Sequence, residues 1–179
     1  DLMLKNVYYL GSMQIQKDNF NLRIVYRNDS VGTDMQYLTE GGPDVKNKLL
    51  LRVLNLDRLD VKNNENPDGI FDYIEGITAL SSSGRIMFPV LEPFGKNLKD
   101  KFGPGFETVA EKYIFQELYD STLVVAQELS EKNKFRLVGE YKSSGGSEIR
   151  LNAMNVPRGS VTVTAGGATL TENVDYTVN

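Results

Sequence analysis

Apolar residues fall on alternate positions between Asn19 and Arg27: Phe20, Leu22, Ile24 and Tyr26, with Asn21, Arg23 and Arg27 among the polar ones. A period of two sends side chains to opposite faces of an extended chain, so the segment predicts a half-buried strand. Leu2, Leu4, Val7, Tyr8 and Tyr9 read as a further short strand before Gly11. Residues 28–43 are polar and rich in Gly and Asp, which predicts a long loop. Between Lys48 and Leu59 two patterns compete. Leu50, Leu51, Leu54 and Leu59 suit a short helix, and Leu49, Leu51 and Val53 suit a strand; the helix is the preferred reading. Tyr73 to Thr78 reads as a strand, and Arg85 to Val90 alternates again through Ile86, Phe88 and Val90. Pro89 places that segment at a sheet edge or at a strand end, because it has no N–H to donate.

Gly103-Pro104-Gly105 then interrupts the chain. Thr108 with Glu111 fits a capping box, and Ala110, Ile114 and Leu118 repeat at helical spacing behind it. Asp120-Ser121-Thr122 restarts or kinks this helix, and Val125, Ala126 and Leu129 continue its apolar face to about Ser130. After Lys132 the period of two returns. Phe135, Leu137 and Tyr141 predict one strand of a hairpin, Ser143 to Ser147 its turn, and Ile149, Leu151 and Ala153 its partner. A second hairpin runs from Val161-Thr-Val-Thr through Ala165-Gly166-Gly167 to Leu170 and beyond. The fold class expected is α+β, mainly antiparallel sheets in two β-rich lobes, with a helical region near 107–130. The expected division is a β-rich lobe over 1–95, a linker and helical region over 96–132, and a hairpin lobe over 133–179 truncated at its C-terminus. Phe71-Asp72-Tyr73-Ile74 and Val174-Asp175-Tyr176-Thr177 hint at a repeated unit.

Composition narrows the chemistry. The 179 residues contain neither His nor Cys, which removes Ser-His-Asp and Cys-His catalysis, His/Cys metal sites, disulfides and thiol redox chemistry. Twenty basic against 24 acidic residues give a net charge of −4 with no basic run, so nucleic acid is not an expected partner. No apolar stretch approaches the length of a membrane-spanning helix. The chain starts at Asp1 and ends inside an expected strand, so both ends read as cut from a longer protein.

The sharpest local pattern runs from Asn64 to Glu75. Set against a twelve-residue calcium loop, Asn64, Asn66 and Asp68 take positions 1, 3 and 5, Gly69 position 6, Asp72 position 9 and Glu75 position 12. Ca²⁺ requires six to eight hard oxygens, and alternate loop residues turn theirs inward. Asn at position 1 and Pro67 at position 4 depart from the pattern, and no exiting helix is expected. The other reading is an Asx and Pro-Asp-Gly turn whose side chains bond nearby backbone amides. Asp57 and Asp60 either add oxygens to such a site or cap local backbone. Carboxylate pairs such as Glu75 with Glu92, or Asp72 with Asp175, have nothing to join them into a hydrolytic site. Gly145-Gly146 and Gly166-Gly167 lack the Lys of a phosphate loop. Tyr8, Tyr9, Tyr26 and Tyr37 are either half-buried strand aromatics or a sugar or partner platform. Pro89-Val90-Leu91-Glu92-Pro93-Phe94-Gly95 is an apolar, proline-stiffened segment that reads as a core plug or as a docking surface.

Several of these segments together resemble one family. They are Asn55 to Asp60 leading into Asn66 to Asp72, Gly84 to Gly95, Tyr113 to Thr122, and Asn155 to Ser160 followed by Asp175-Tyr176-Thr177. The combination resembles the SprA (Sov) family of giant outer-membrane proteins of type IX secretion and gliding motility, from about Tyr8 to the C-terminus. The resemblance implies a soluble domain inserted between strands of a very large β-barrel translocon, facing the cell surface or the periplasm, the surface preferred. It implies a non-catalytic capping or docking role, with other domains of the translocon, secretion-system proteins and secreted cargo as partners. It supplies no catalytic residues. The class-level alternative is a calcium-stabilised surface adhesin or carbohydrate-binding module.

Overall fold

The computed structural model describes residues 5–144, 162–165, 168–169 and 171. The chain divides into two compact units, Asp1–Gly146 and Ser147–Asn179. In the first unit β1 (Val7–Tyr9), β4 (Ala79–Leu80) and β5 (Arg85–Met87) form an antiparallel sheet in the order β1-β5-β4. A second antiparallel sheet is ordered β3-β2-β6, from β2 (Asn21–Asn28), β3 (Thr33–Met35) and β6 (Phe135–Glu140). Five short α-helices and a 3-10 turn at Ser81–Ser83 complete the described elements of that unit, the α-helices being α1 (Leu50–Val53), α2 (Lys96–Phe102), α3 (Glu107–Ala110), α4 (Glu117–Asp120) and α5 (Leu123–Glu128). The class is α+β with mainly antiparallel sheets, as expected. In the second unit β7 (Thr164–Ala165) pairs antiparallel with β8 (Ala168–Thr169), at the second expected hairpin.

The alternation over 19–27 produces the central strand. Leu22, Ile24 and Tyr26 are buried while Asn21 and Arg23 face outward, and Val25 is buried as well. β2 pairs with β6 from Asn21↔Glu140 to Tyr26↔Phe135. Gly139 lies opposite Leu22, and a Cβ there would run into the carbonyl oxygen of Asn21. Residues 133–144, assigned by sequence to the hairpin lobe, therefore take their described pairing from a strand of the first hundred residues. The expected hairpin partner, Ile149 to Ala153, lies outside the described residues, as does the Val174–Thr177 copy of the repeat.

Three local expectations change. Residues 28–43 are not all loop, because the chain turns at Gly32 and returns as β3 against the end of β2. Tyr73 to Thr78 is a turn and not a strand. Thr78 is buried, and its hydroxyl accepts the Ile74 N–H and donates to the Asp72 carbonyl, which closes the turn before β4. The helical region over 107–130 is broken not only at the expected 120–122 restart, between α4 and α5, but also between α3 and α4. Thr108 does not cap it; Phe106 occupies that position without a side-chain hydrogen bond, and Thr122 caps α5 by accepting the Val125 N–H. The break lets Tyr113, Ile114 and Phe115 all turn into the core, which one amphipathic stripe would not allow. β5 is central in its sheet, so Pro89 marks the strand end and not an edge.

The core of this unit is continuous from Leu22 and Ile24 through Leu50, Leu54 and Leu56 to Ile86, Phe88, Phe94, Leu98 and Phe102. α1 ends by a Schellman turn: the Asn55 N–H bonds the Arg52 carbonyl, the Leu56 N–H bonds the Leu51 carbonyl, and Asn55 is left-handed at φ 61°. The turn drops Leu56 into the core at 0% exposure. Phe94 packs on three rings, with centroids 5.9 Å from Tyr8, 5.5 Å from Phe88 and 5.0 Å from Phe135. Deleting a buried phenylalanine costs transfer free energy and leaves a cavity. Phe94→Ala is therefore expected to lower unfolding stability by about 3–5 kcal/mol in a urea titration. Leu91→Ala, at a side chain 68% exposed three positions away, should change it by less than about 0.5 kcal/mol.

Candidate functional site

The acidic loop is built outward from Asp57, which follows the Schellman turn and is only 1% exposed. Its two oxygens accept the amides of Asp68 and Gly69, each at 3.0 Å. Burial holds this carboxyl above the usual carboxylate range, against the two amide donors that favour its charge. Asp60 accepts the amides of Lys62 and Asn64 and both of its oxygens meet the Asn64 side-chain amide, which holds it below its usual value. Asp68 accepts the Ile70 amide, an Asx turn that is followed by Phe71 dropping into the core. Gly69 has φ +87°, the left-handed conformation that glycine adopts without a Cβ penalty.

The remaining calcium-pattern residues face elsewhere. One Asp72 oxygen accepts the amides of Arg58 at 2.6 Å and Leu59 at 3.1 Å. Glu75 accepts the Ser81 amide and hydroxyl, across the turn that Thr78 closes. Asn64 is held by Asp60, and Asn66 bonds through its backbone N–H to the Asn64 carbonyl. Asn64, Asp68, Asp72 and Glu75 thus turn their side chains to four different sets of partners. Among the described residues no three carboxylates are grouped to hold a metal ion. What the geometry presents is the turn alternative: carboxylates satisfying backbone amides in a stretch that has little ladder of its own. Glu75 and Glu92 have separate partners, and Asp175 lies outside the described residues.

The second site is the proline-stiffened turn. Phe88, Pro93 and Phe94 are buried and Leu91 is exposed, so the plug and an outward-facing tip coexist in one segment. Glu92 sits between them in a left-handed conformation, φ 49°, with a carboxylate that bonds Lys5 at 2.5 Å and Gln116 at 3.0 Å. The Lys5 hydrogen bond is the main reason that Glu92 titrates below the usual glutamate range, with the Gln116 amide adding to it. Beneath it the Tyr119 hydroxyl accepts the Phe94 N–H and lies 2.8 Å from the Tyr8 hydroxyl. Burial pushes Tyr8 up to about 12 and Tyr119 higher still, so both phenols stay neutral. A Cβ at Gly95 would approach the Gln116 side-chain oxygen to 2.5 Å and the Tyr119 ring to 3.0 Å, so Gln116 would have to move.

A cleft of about 220 Å³ opens beside the acidic loop, lined by Asp44, Lys48, Arg52, Arg58 and Lys101 with the buried Asp57. Sequence reasoning missed it, because Lys101 joins the 48–58 cations only through tertiary packing; the Lys48–Arg52 spacing was the local signal. It also missed Thr78, Tyr119 and the Lys5–Glu92 pair, whose partners are 87 residues apart. No known protein-family model matches the chain, and no curated protein matches it. Among the described residues no helix is long and apolar enough to cross a membrane.

Two measurements check these assignments. Asp57→Ala strands the Asp68 and Gly69 amides and should cost about 1.5–3 kcal/mol. Melts of the unsubstituted chain in excess Ca²⁺ and in chelator should coincide, since the loop oxygens already serve amides; a calcium-specific rise lost in Asp68→Ala would instead support the metal site. Glu92 gives a pH signature. Its carboxyl is depressed in the fold, so its contribution is present above the ordinary value of 4.5 and is lost as pH falls through the lower folded value. The stability difference between the unsubstituted chain and Glu92→Gln should be constant from pH 7 to about 5 and shrink toward pH 3; a pH-independent difference would mean that the pair contributes nothing through its charge.

Proposed function

We propose that this chain is a non-catalytic soluble domain of an outer-membrane translocon of the type IX secretion kind, with a capping or docking role. The resemblance of its motifs to the SprA family motivates the reading. One observation carries it further: the described segments that bear the resemblance are spent on packing and turn closure and not gathered round a reactive centre. Leu56, Asp57 and Phe71 from the first, Phe88, Pro93 and Phe94 from the second, and Tyr113 and Phe115 from the third are all buried. These residues build a scaffold that presents the 89–95 tip. The aromatics add support. Among the described residues ten ring pairs interlock, with Tyr9 and Tyr37 exposed outside them, whereas a sugar-binding face would lay its rings along a groove. The partners on this reading are neighbouring domains of the translocon and its secretion-system components, with cargo passing close by.

The test is made in the full-length translocon, with a photo-crosslinking amino acid at position 91 and a secreted reporter protein. The expected result is a discrete crosslink to another translocon component and defective reporter export when residues 5–144 are replaced by a short linker. Normal export and gliding after that replacement, with no crosslink from position 91, would overturn the proposal.

A further inference from the structure

The cleft beside the acidic loop concentrates positive charge in an acidic protein. Lys48 and Arg52 are one helical turn apart on α1 and its lead-in, Arg58 follows the Schellman turn, and Lys101 comes from the last turn of α2. The 48–58 stretch and the distant end of α2 are thus brought to one concavity. Two carboxylates share it, and each is already engaged: Asp44 pairs with Lys48 at 3.2 Å, and Asp57 turns both oxygens to the Asp68 and Gly69 amides. Among the described residues Arg52, Arg58 and Lys101 have no ion-pair partner, and the nearest recorded contact of the Lys101 ammonium is the Asn55 side-chain oxygen at 3.4 Å. Lys96, Lys99 and Lys112, by contrast, each hold a carboxylate at 2.8, 2.5 and 2.7 Å.

Clustering unpaired cations costs electrostatic free energy that an incoming anion relieves. Two guanidinium groups favour a planar or tetrahedral oxyanion that can take paired hydrogen bonds, and a lysine adds a point charge. The cleft, at about 220 Å³, is smaller than the usual drug-sized pocket, so it suits a compact group and leaves the remainder of the ligand outside. We infer that the cleft between α1, the 55–58 turn and the end of α2 binds a phosphate group, with Arg52 and Arg58 gripping its oxygens and Lys101 closing the charge. The inference does not depend on the translocon reading, since the cations that carry it, Arg52, Arg58 and Lys101, are not among the buried residues on which that reading rests. The phosphate is carried either by a soluble phosphomonoester or by a lipid headgroup, and the chemistry at the cleft is the same.

The test uses the whole 179-residue chain at low ionic strength, where an exposed cationic site is least screened. Inorganic phosphate and glucose 6-phosphate are titrated by calorimetry and by ¹H–¹⁵N chemical-shift mapping. Saturable one-to-one binding is expected, with shifts confined to residues around 48–58 and 101. Arg52→Gln/Arg58→Gln should weaken it at least about tenfold, and Lys96→Gln, whose cation is paired with Asp100, should leave it within about twofold. Both arginines are exposed, so the double variant is expected to melt like the parent. If it does not, Arg58→Lys keeps the charge, removes the fork and should still weaken binding several-fold. Phosphatidylcholine vesicles with and without phosphatidic acid supply the second arm. Arginine-dependent sedimentation with phosphatidic acid alone assigns the lipid source, and arginine-dependent binding of glucose 6-phosphate without it assigns the soluble one. No binding of any of these probes up to about 10 mM, or binding that the arginine substitutions leave unchanged, overturns the inference.

Discussion

The aromatic contact around Phe94 is the constraint on which the first unit depends. Its ring touches Tyr8 of β1 and Phe135 of β6, so one side chain spans the two sheets, and Phe88 packs against it just after β5. The backbone is fixed as firmly as the ring. The Phe94 N–H donates to Tyr119, and its carbonyl accepts the Phe115 N–H, so the turn before α2 and the segment between α3 and α4 share one anchor. The left-handed backbone at Glu92 is tolerated because Lys5 and Gln116 hold its carboxylate on the outside while Pro93 and Phe94 fill the inside.

Much of the remaining order comes from side chains that stand in for ladders. Strands of two or three residues and helices of four leave many backbone amides without regular partners. Between Asp57 and Ser81 the partners are Asp57, Asp60, Asp68, Asp72 and Glu75, together with the buried hydroxyl of Thr78. The acidity of this stretch is thereby accounted for locally. Each charge offsets the loss of a hydrogen bond that a longer strand would have made.

The same facts explain what could be read from the sequence. β2 was legible because one buried face of a strand imposes a period of two, β5 and β6 announced themselves the same way, and β1 showed as a cluster of apolar residues before Gly11. The acidic loop was legible only as a pair of alternatives, since a calcium loop and an amide-capped turn draw on the same residue types at similar spacing. Which way an oxygen points depends on Leu56 and Phe71 entering the core on either side, and that is tertiary information. The stripe Ala110, Ile114, Leu118 promised one helix, but Tyr113 and Phe115 compete for the same interior, and burying both costs the helix its continuity. The cationic cleft left only the Lys48–Arg52 spacing as a local trace, because packing of the end of α2 against the 44–58 stretch completes it.

Gly139 carries a consequence for how the β2–β6 pair behaves. A strand normally tolerates a slip of two residues, because the inward and outward sets of side chains keep their faces. Here the position opposite Leu22 admits no Cβ, so a slip would bring Leu137 or Tyr141 against the Asn21 carbonyl and be rejected on contact. A missing atom therefore acts as a notch that admits a single alignment. The chain selects that alignment over a separation of more than a hundred residues, and the late-arriving strand has one place to dock.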